Sequence, residues 1–126
     1  LPMWPLTQGR EHEIVDDPEL LSLLHRNGVD VYASGHHHAF FAGTDDAGML
    51  HLAVGALGGN ARAFSGQREP QPYSFVVLSL AGGMVSVRAP AAPDFVEEVP
   101  AAGLPAVVEG PLGTLRRITG PVPLRP

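Results

Sequence analysis

No cysteine occurs among the 126 residues. That absence excludes a disulfide framework and any thiolate-held metal. It leaves the compartment open, because cysteine-free proteins occur on both sides of a membrane. Basic clusters are also scarce: Arg116-Arg117 is the only adjacent basic pair, and the formal net charge is -5. Non-specific nucleic-acid binding rests on a basic stripe, so this charge pattern argues against it. No apolar run approaches the roughly 20 residues that span a bilayer, and no secretory leader is visible. The opening Leu1-Pro2-Met3-Trp4-Pro5 lacks an initiator Met and is already apolar. It is expected to lie inside a longer domain.

What the chain does hold is apolar content, turn formers and histidine. Hydrophobic residues make up 44 %, enough to build a core rather than a disordered chain. With Gly 15 and Pro 13, the composition favours short strands and many turns over long helices. Residues 1–15 read as a loop leaving a strand. Asp16-Asp17-Pro18-Glu19 is a helix start, with Asp to cap, Pro at the first helical position and Glu in the first turn. Leu20, Leu21 and Leu24 then recur at helical spacing, and Asn27-Gly28 suits a helix end. A helix is therefore expected over about 18–26.

Val29 to Ser34 reads as a strand, and 38–54 as a hairpin turned at Thr44-Asp45-Asp46-Ala47-Gly48. Residues 61–72 read as an exposed loop. Tyr73 to Leu80 is expected to pair with Met84 to Arg88 across Ala81-Gly82-Gly83. Eight of the 13 prolines fall in 90–126, which reads as an extended tail with a weak element near 112–118. Two segments follow: a folded portion over 1–89 and a Pro-rich tail over 90–126.

The residues with the most chemistry are Gly35-His36-His37-His38, at the end of the expected 29–34 strand. On extended backbone, His36 and His38 would share a face about 6.6–6.8 Å apart. Ions in two-metal sites lie roughly 3.5–4 Å apart, so each imidazole could take one ion or both could grip one. His37 would then point away. Ligands of open α/β sheets bind beyond strand carboxyl ends, which is where this cluster falls.

The order helix, short strand, Gly-His-x-His, hairpin and Gly-rich loop resembles the last motif block of the calcineurin-like metallophosphoesterases. The matching residues are Gly35, His36, His37 at the x position, and His38. Leu1 to Leu6 resembles the segment that follows the family's preceding His-x-Pro motif. The resemblance covers roughly residues 1–88. It implies an α/β fold, the C-terminal portion of a four-layer αββα sandwich, with one helix and mostly antiparallel strands here. It implies two divalent ions (Mn, Fe or Zn), with His36 on the second and His38 on the first, and a phosphate-ester substrate. The family's Asp-x-His, Gly-Asp-x-x-Asp and Gly-Asn-His motifs are absent. The chain is accordingly expected to bind metal weakly and to hydrolyse nothing unless joined to the missing N-terminal half of the domain.

His37, His51, Asn60 and Arg62 are further candidates to contact substrate or the ligating rings. The bland readings are a strand histidine at His51, an exposed arginine at Arg62, a helix-end cation at His25 and turn chemistry at Asp45-Asp46. The other reading is a non-catalytic, β-rich metal-binding or interaction module. A cupin-like barrel is disfavoured because Ala39-Phe40-Phe41-Ala42 supplies no Glu after the second His. An amidohydrolase barrel would need far more chain after His38.

Overall fold

A computed structural model describes residues 1–124. Asp17 caps the one α-helix among them, α1 (Pro18–Arg26): its side chain accepts from the amides of Glu19 and Leu20. Pro18 follows at the first helical position, where a missing N–H costs nothing. Asn27 closes the helix, and Gly28 takes a left-handed φ of 69°. Asp17→Ala is expected to lower stability by about 0.5–2 kcal/mol, the usual worth of such a cap, measured by urea denaturation.

The strands are short. β1 (Val31–Ser34), β2 (Phe41–Thr44) and β3 (Leu50–Ala53) follow the helix, and then β4 (Val77–Ala81) and β5 (Met84–Arg88). β6 (Val107–Gly110), β7 (Gly113–Arg117) and β8 (Val122–Pro123) complete the order. One sheet runs β1-β3-β2-β7-β6 and the other β4-β5-β8. Only β1 and β3 pair parallel, with Ser34 opposite Ala53; the other named pairs are antiparallel. The described residues thus form a mixed α/β fold with one helix and mostly antiparallel strands.

Alternation along β2 and β3 explains the layering. Phe41, Met49 and Ala53 face a core shared with Met3, Trp4, Leu6, Leu21 of α1, Phe64, Val108 and Leu115. Phe40, Ala42, Leu50 and Leu52 face the opposite way, onto Val85 of β5, Ala89, Ala91 and Val99. Successive strand side chains point to opposite faces, so the central sheet is buried on both. Its order is helix and N-terminal segment, five-stranded sheet, then three-stranded sheet.

Three expectations change. The Pro-rich segment is not only an extended tail: it inserts β6 and β7 into the main sheet and β8 beside β5. Its described prolines fall between strands or at an edge, as with Pro111 in the β6–β7 turn and Pro123 on β8, where no ladder donor is required. β7 is the element expected near 112–118, and Arg125 and Pro126 of that segment lie outside the described residues. β7 docks beside Gly43, where a Cβ would come within 2.8 Å of the Phe41 ring and 2.9 Å of the Arg116 carbonyl. Residues 61–72 are not simply exposed, because Phe64 is buried in the core. The strand expected from Tyr73 begins only at Val77; Ser74 instead bridges to Ala91.

Candidate functional site: the histidine turn

β1 ends at Ser34, whose carbonyl accepts from the Val54 amide. The chain then reverses tightly. The His37 amide donates to the Gly35 carbonyl at 2.9 Å, and His36 between them has φ 72°. This is a γ-turn with positive φ at its centre, the rare and strained form. His38 is also left-handed, at φ 57°. The extended backbone expected over 36–38 is therefore absent, and with it the simple alternation of faces. Two non-glycine residues at positive φ cost of order 1–3 kcal/mol each, and such strain concentrates at functional sites.

The rings divide by exposure. His37 is buried, 1 % exposed, and goes inward. Its Nε2 donates to the Glu13 carbonyl at 2.9 Å, and its Nδ1 accepts from the Thr7 amide at 3.4 Å. Burial pushes its pKa below the ordinary imidazole value, and the Glu13 carbonyl offsets this only in part. A neutral ring is what the Thr7 contact requires, since Nδ1 must keep its lone pair.

His36 and His38 stay accessible. His36 Nε2 donates to Glu13 Oε1 at 2.7 Å. His38 Nδ1 donates to the Asn60 carbonyl at 2.6 Å. These acceptors assign the tautomers and leave His36 Nδ1 and His38 Nε2 with lone pairs and no protein partner among the described residues. An imidazole whose other N–H is held by a carboxylate or a backbone carbonyl is the usual form of a metal-ligating histidine. Hydrogen bonds from His36 and then Arg10 hold the Glu13 carboxyl down to about 2. Arg10 contributes its Nη1 to Glu13 Oε2 at 2.9 Å.

The loop after β3 closes the turn from above. Arg62 Nη1 donates to the His36 carbonyl at 2.6 Å. Gly59 lies against the His38 ring, where a Cβ would come within 2.7 Å of Cε1. Gly59→Ala is therefore expected to displace the imidazole, break its bond to Asn60 and cost about 1–3 kcal/mol through overpacking. Loss of the His38 Nδ1–H resonance in NMR spectra, beside an unchanged core, would register the displacement.

The turn thus gathers His36, His37, His38, Asn60 and Arg62. Asn60 acts through its carbonyl and Arg62 through a main-chain contact. His51 does not join them. It is buried with its Nε2 donating to Asp45 Oδ2 at 2.9 Å, and its ring meets Trp4 edge-on at 4.6 Å. His25 donates to the same oxygen at 2.8 Å, so it does more than sit at a helix end. Glu13 was not singled out from the sequence: its partner lies 23 residues away, and nothing local signals the pairing.

The donor chemistry at the turn suits a divalent ion, but two imidazoles are a partial ligand set. Among the described residues no group of three or more His, Cys, Asp or Glu is arranged to hold one. An apolar cleft of about 150 Å³ lies elsewhere, lined by Phe64, Gln71, Val99 and Leu104 among others. It includes no histidine. No described helix is long and apolar enough to cross a membrane. Comparison with family models, with curated proteins and with solved structures returned no match to this chain.

Proposed function

We propose that this chain contributes two imidazole ligands, His36 Nδ1 and His38 Nε2, to the two-metal centre of a phosphoesterase of the calcineurin-like type. The observation that carries the reading is that each ring is anchored through one nitrogen to an oxygen, Glu13 Oε1 or the Asn60 carbonyl, while the other stays open. His37, by contrast, uses both nitrogens, and the open Nδ1 of His51 is sealed from solvent, whereas the rings of His36 and His38 are accessible. The strained γ-turn at a strand's carboxyl end supports the same reading. So does the sequence helix, sheet, sheet, which would form the C-terminal portion of a four-layer αββα sandwich.

Two divalent ions (Mn, Fe or Zn), when bound, would stabilise negative charge on the phosphoryl oxygens of a phosphate ester. The task of this chain is narrower. Its turn holds the two imidazoles in fixed orientation, with Glu13 and Asn60 accepting from their non-ligating nitrogens. The carboxylate and remaining ligands would come from chain beyond these 126 residues, and the segment alone is expected to bind metal weakly and to hydrolyse nothing.

The test is hydrolysis of p-nitrophenyl phosphate and of bis(p-nitrophenyl) phosphate by the protein from its complete reading frame, with Mn²⁺ supplied. His36→Ala and His38→Ala should each lose more than the 10–100-fold typical of removing a partner that only orients a ligand. Full activity in either variant, or no metal-dependent hydrolysis in the parent, would remove the assignment. A metal-binding or interaction module without catalysis is the alternative. It is favoured by the incomplete ligand set, and the second of those outcomes would select it.

A further inference from the structure

We infer that Glu13 is a positioning residue for His36, and that His37 is the peg that keeps it in place. This rests on the reading of the turn as a metal-facing pair and adds the residues that aim it. Glu13 meets two adjacent histidines in different ways. Its side chain accepts from His36 Nε2 at 2.7 Å, and its carbonyl accepts from the buried His37 Nε2 at 2.9 Å.

The geometry explains why both contacts are needed. Thr7 bridges to Phe64 and the Gln8 amide donates to the Ala63 carbonyl at 3.1 Å, but residues 9–13 beyond that anchor lie in no named strand or helix. Arg10 accepts a turn bond from Glu13, whose amide donates to the Arg10 carbonyl at 2.9 Å. That fixes the local turn but not its position under the histidines. His37 ties Glu13 back to the anchored start of the segment, since its Nδ1 accepts from the Thr7 amide and its Nε2 donates to the Glu13 carbonyl. With its main chain pinned, Glu13 can present Oε1 to His36 while Arg10 holds Oε2.

His36 needs such help more than an ordinary ring would. Its side chain is 41 % exposed, so packing alone does not hold its orientation. The single bond to Glu13 decides which nitrogen carries the proton and which faces outward. A carboxylate on the far side of a ligating imidazole fixes ring orientation and raises ligand basicity, and its removal typically costs 10–100-fold in metal affinity.

The experiment compares the wild-type chain with Glu13→Ala and Glu13→Gln by NMR, first without metal and then during titration with Zn²⁺. Without metal, the wild type should show a His36 Nε2–H protected from solvent exchange. Glu13→Ala should lose that protection while keeping the thermal midpoint and the His37 ring signals. Glu13→Gln retains an acceptor oxygen and should keep most of it. With Zn²⁺, Glu13→Ala should bind about 10-fold or more weakly at His36, with Glu13→Gln between the two. Retained protection in Glu13→Ala, or wild-type zinc affinity despite lost protection, would overturn the positioning role alone. A wild-type chain in which zinc leaves His36 unperturbed would instead overturn the metal-facing reading on which the role depends.

Discussion

Asp45→Ala is expected to lower the stability of the chain by several kcal/mol, because each buried donor left without its acceptor costs about 1–3 kcal/mol. Asp45 is 7 % exposed and serves four donors. Its Oδ2 accepts from His25 and His51, and its Oδ1 from the amides of Ala47 and Met49. The alanine would undo the β2–β3 turn and leave His51 buried with neither ring nitrogen partnered, since its Nδ1 already has no partner. Domains are typically stable by only 5–15 kcal/mol, so the loss is a large fraction. Urea denaturation followed by circular dichroism would measure it.

The same carboxylate predicts a pH dependence. Burial alone would push its pKa up, but the hydrogen bonds from His51, His25 and Met49 outweigh this and hold it well below the usual carboxylate range. A depressed folded-state pKa stabilises the fold above the unfolded value near 3.9. That contribution disappears as pH falls from there through the folded value. The difference between wild type and Asp45→Asn should therefore shrink below about pH 4. A difference that grew on acidification would contradict the assignment.

Trp4→Ala should cost a comparable about 3–5 kcal/mol, the usual range for a large aromatic removed from a core. Trp4 is 1 % exposed and joins three parts of the fold. It anchors the N-terminal segment, its Nε1 donates to the Gly113 carbonyl at 2.9 Å, and its ring meets His51 of β3. It also lies against Gly110, where a Cβ would come within 3.0 Å of Cδ1. Trp4→Phe keeps most of the volume and loses the donor, so about 0.5–1.5 kcal/mol is expected. The chain has one tryptophan, so circular dichroism rather than fluorescence must follow these variants. Because Trp4 and Asp45 both support His51, the two losses should not add in the double variant.

The helix was legible because its signals are local. Asp17, Pro18 and Glu19 act within one turn, and the leucine spacing follows directly. The β2–β3 and β4–β5 hairpins were legible for the same reason, since turn residues separate alternating apolar runs. The β6–β7 insertion was not, because its partner is β2, more than 60 residues earlier, and prolines around it mimic a linker. Phe64 was read as loop because no local pattern connects it to its partner, the Phe41 ring at 5.6 Å. At the histidine turn, residue type gave the chemistry but not the shape. Positive φ at His36 and His38 carries no sequence signal comparable to glycine. The inward turn of His37 depends on Thr7 and Glu13, which no local pattern connects to it.

The most direct test is to titrate the chain with Zn²⁺ while recording imidazole nitrogen resonances. His36 Nδ1 and His38 Nε2 should respond together and first, with His25, His37 and His51 unmoved. Zinc shifts arising at His25 and His51, or a response at only one ring of the turn, would contradict a paired metal-facing role for His36 and His38.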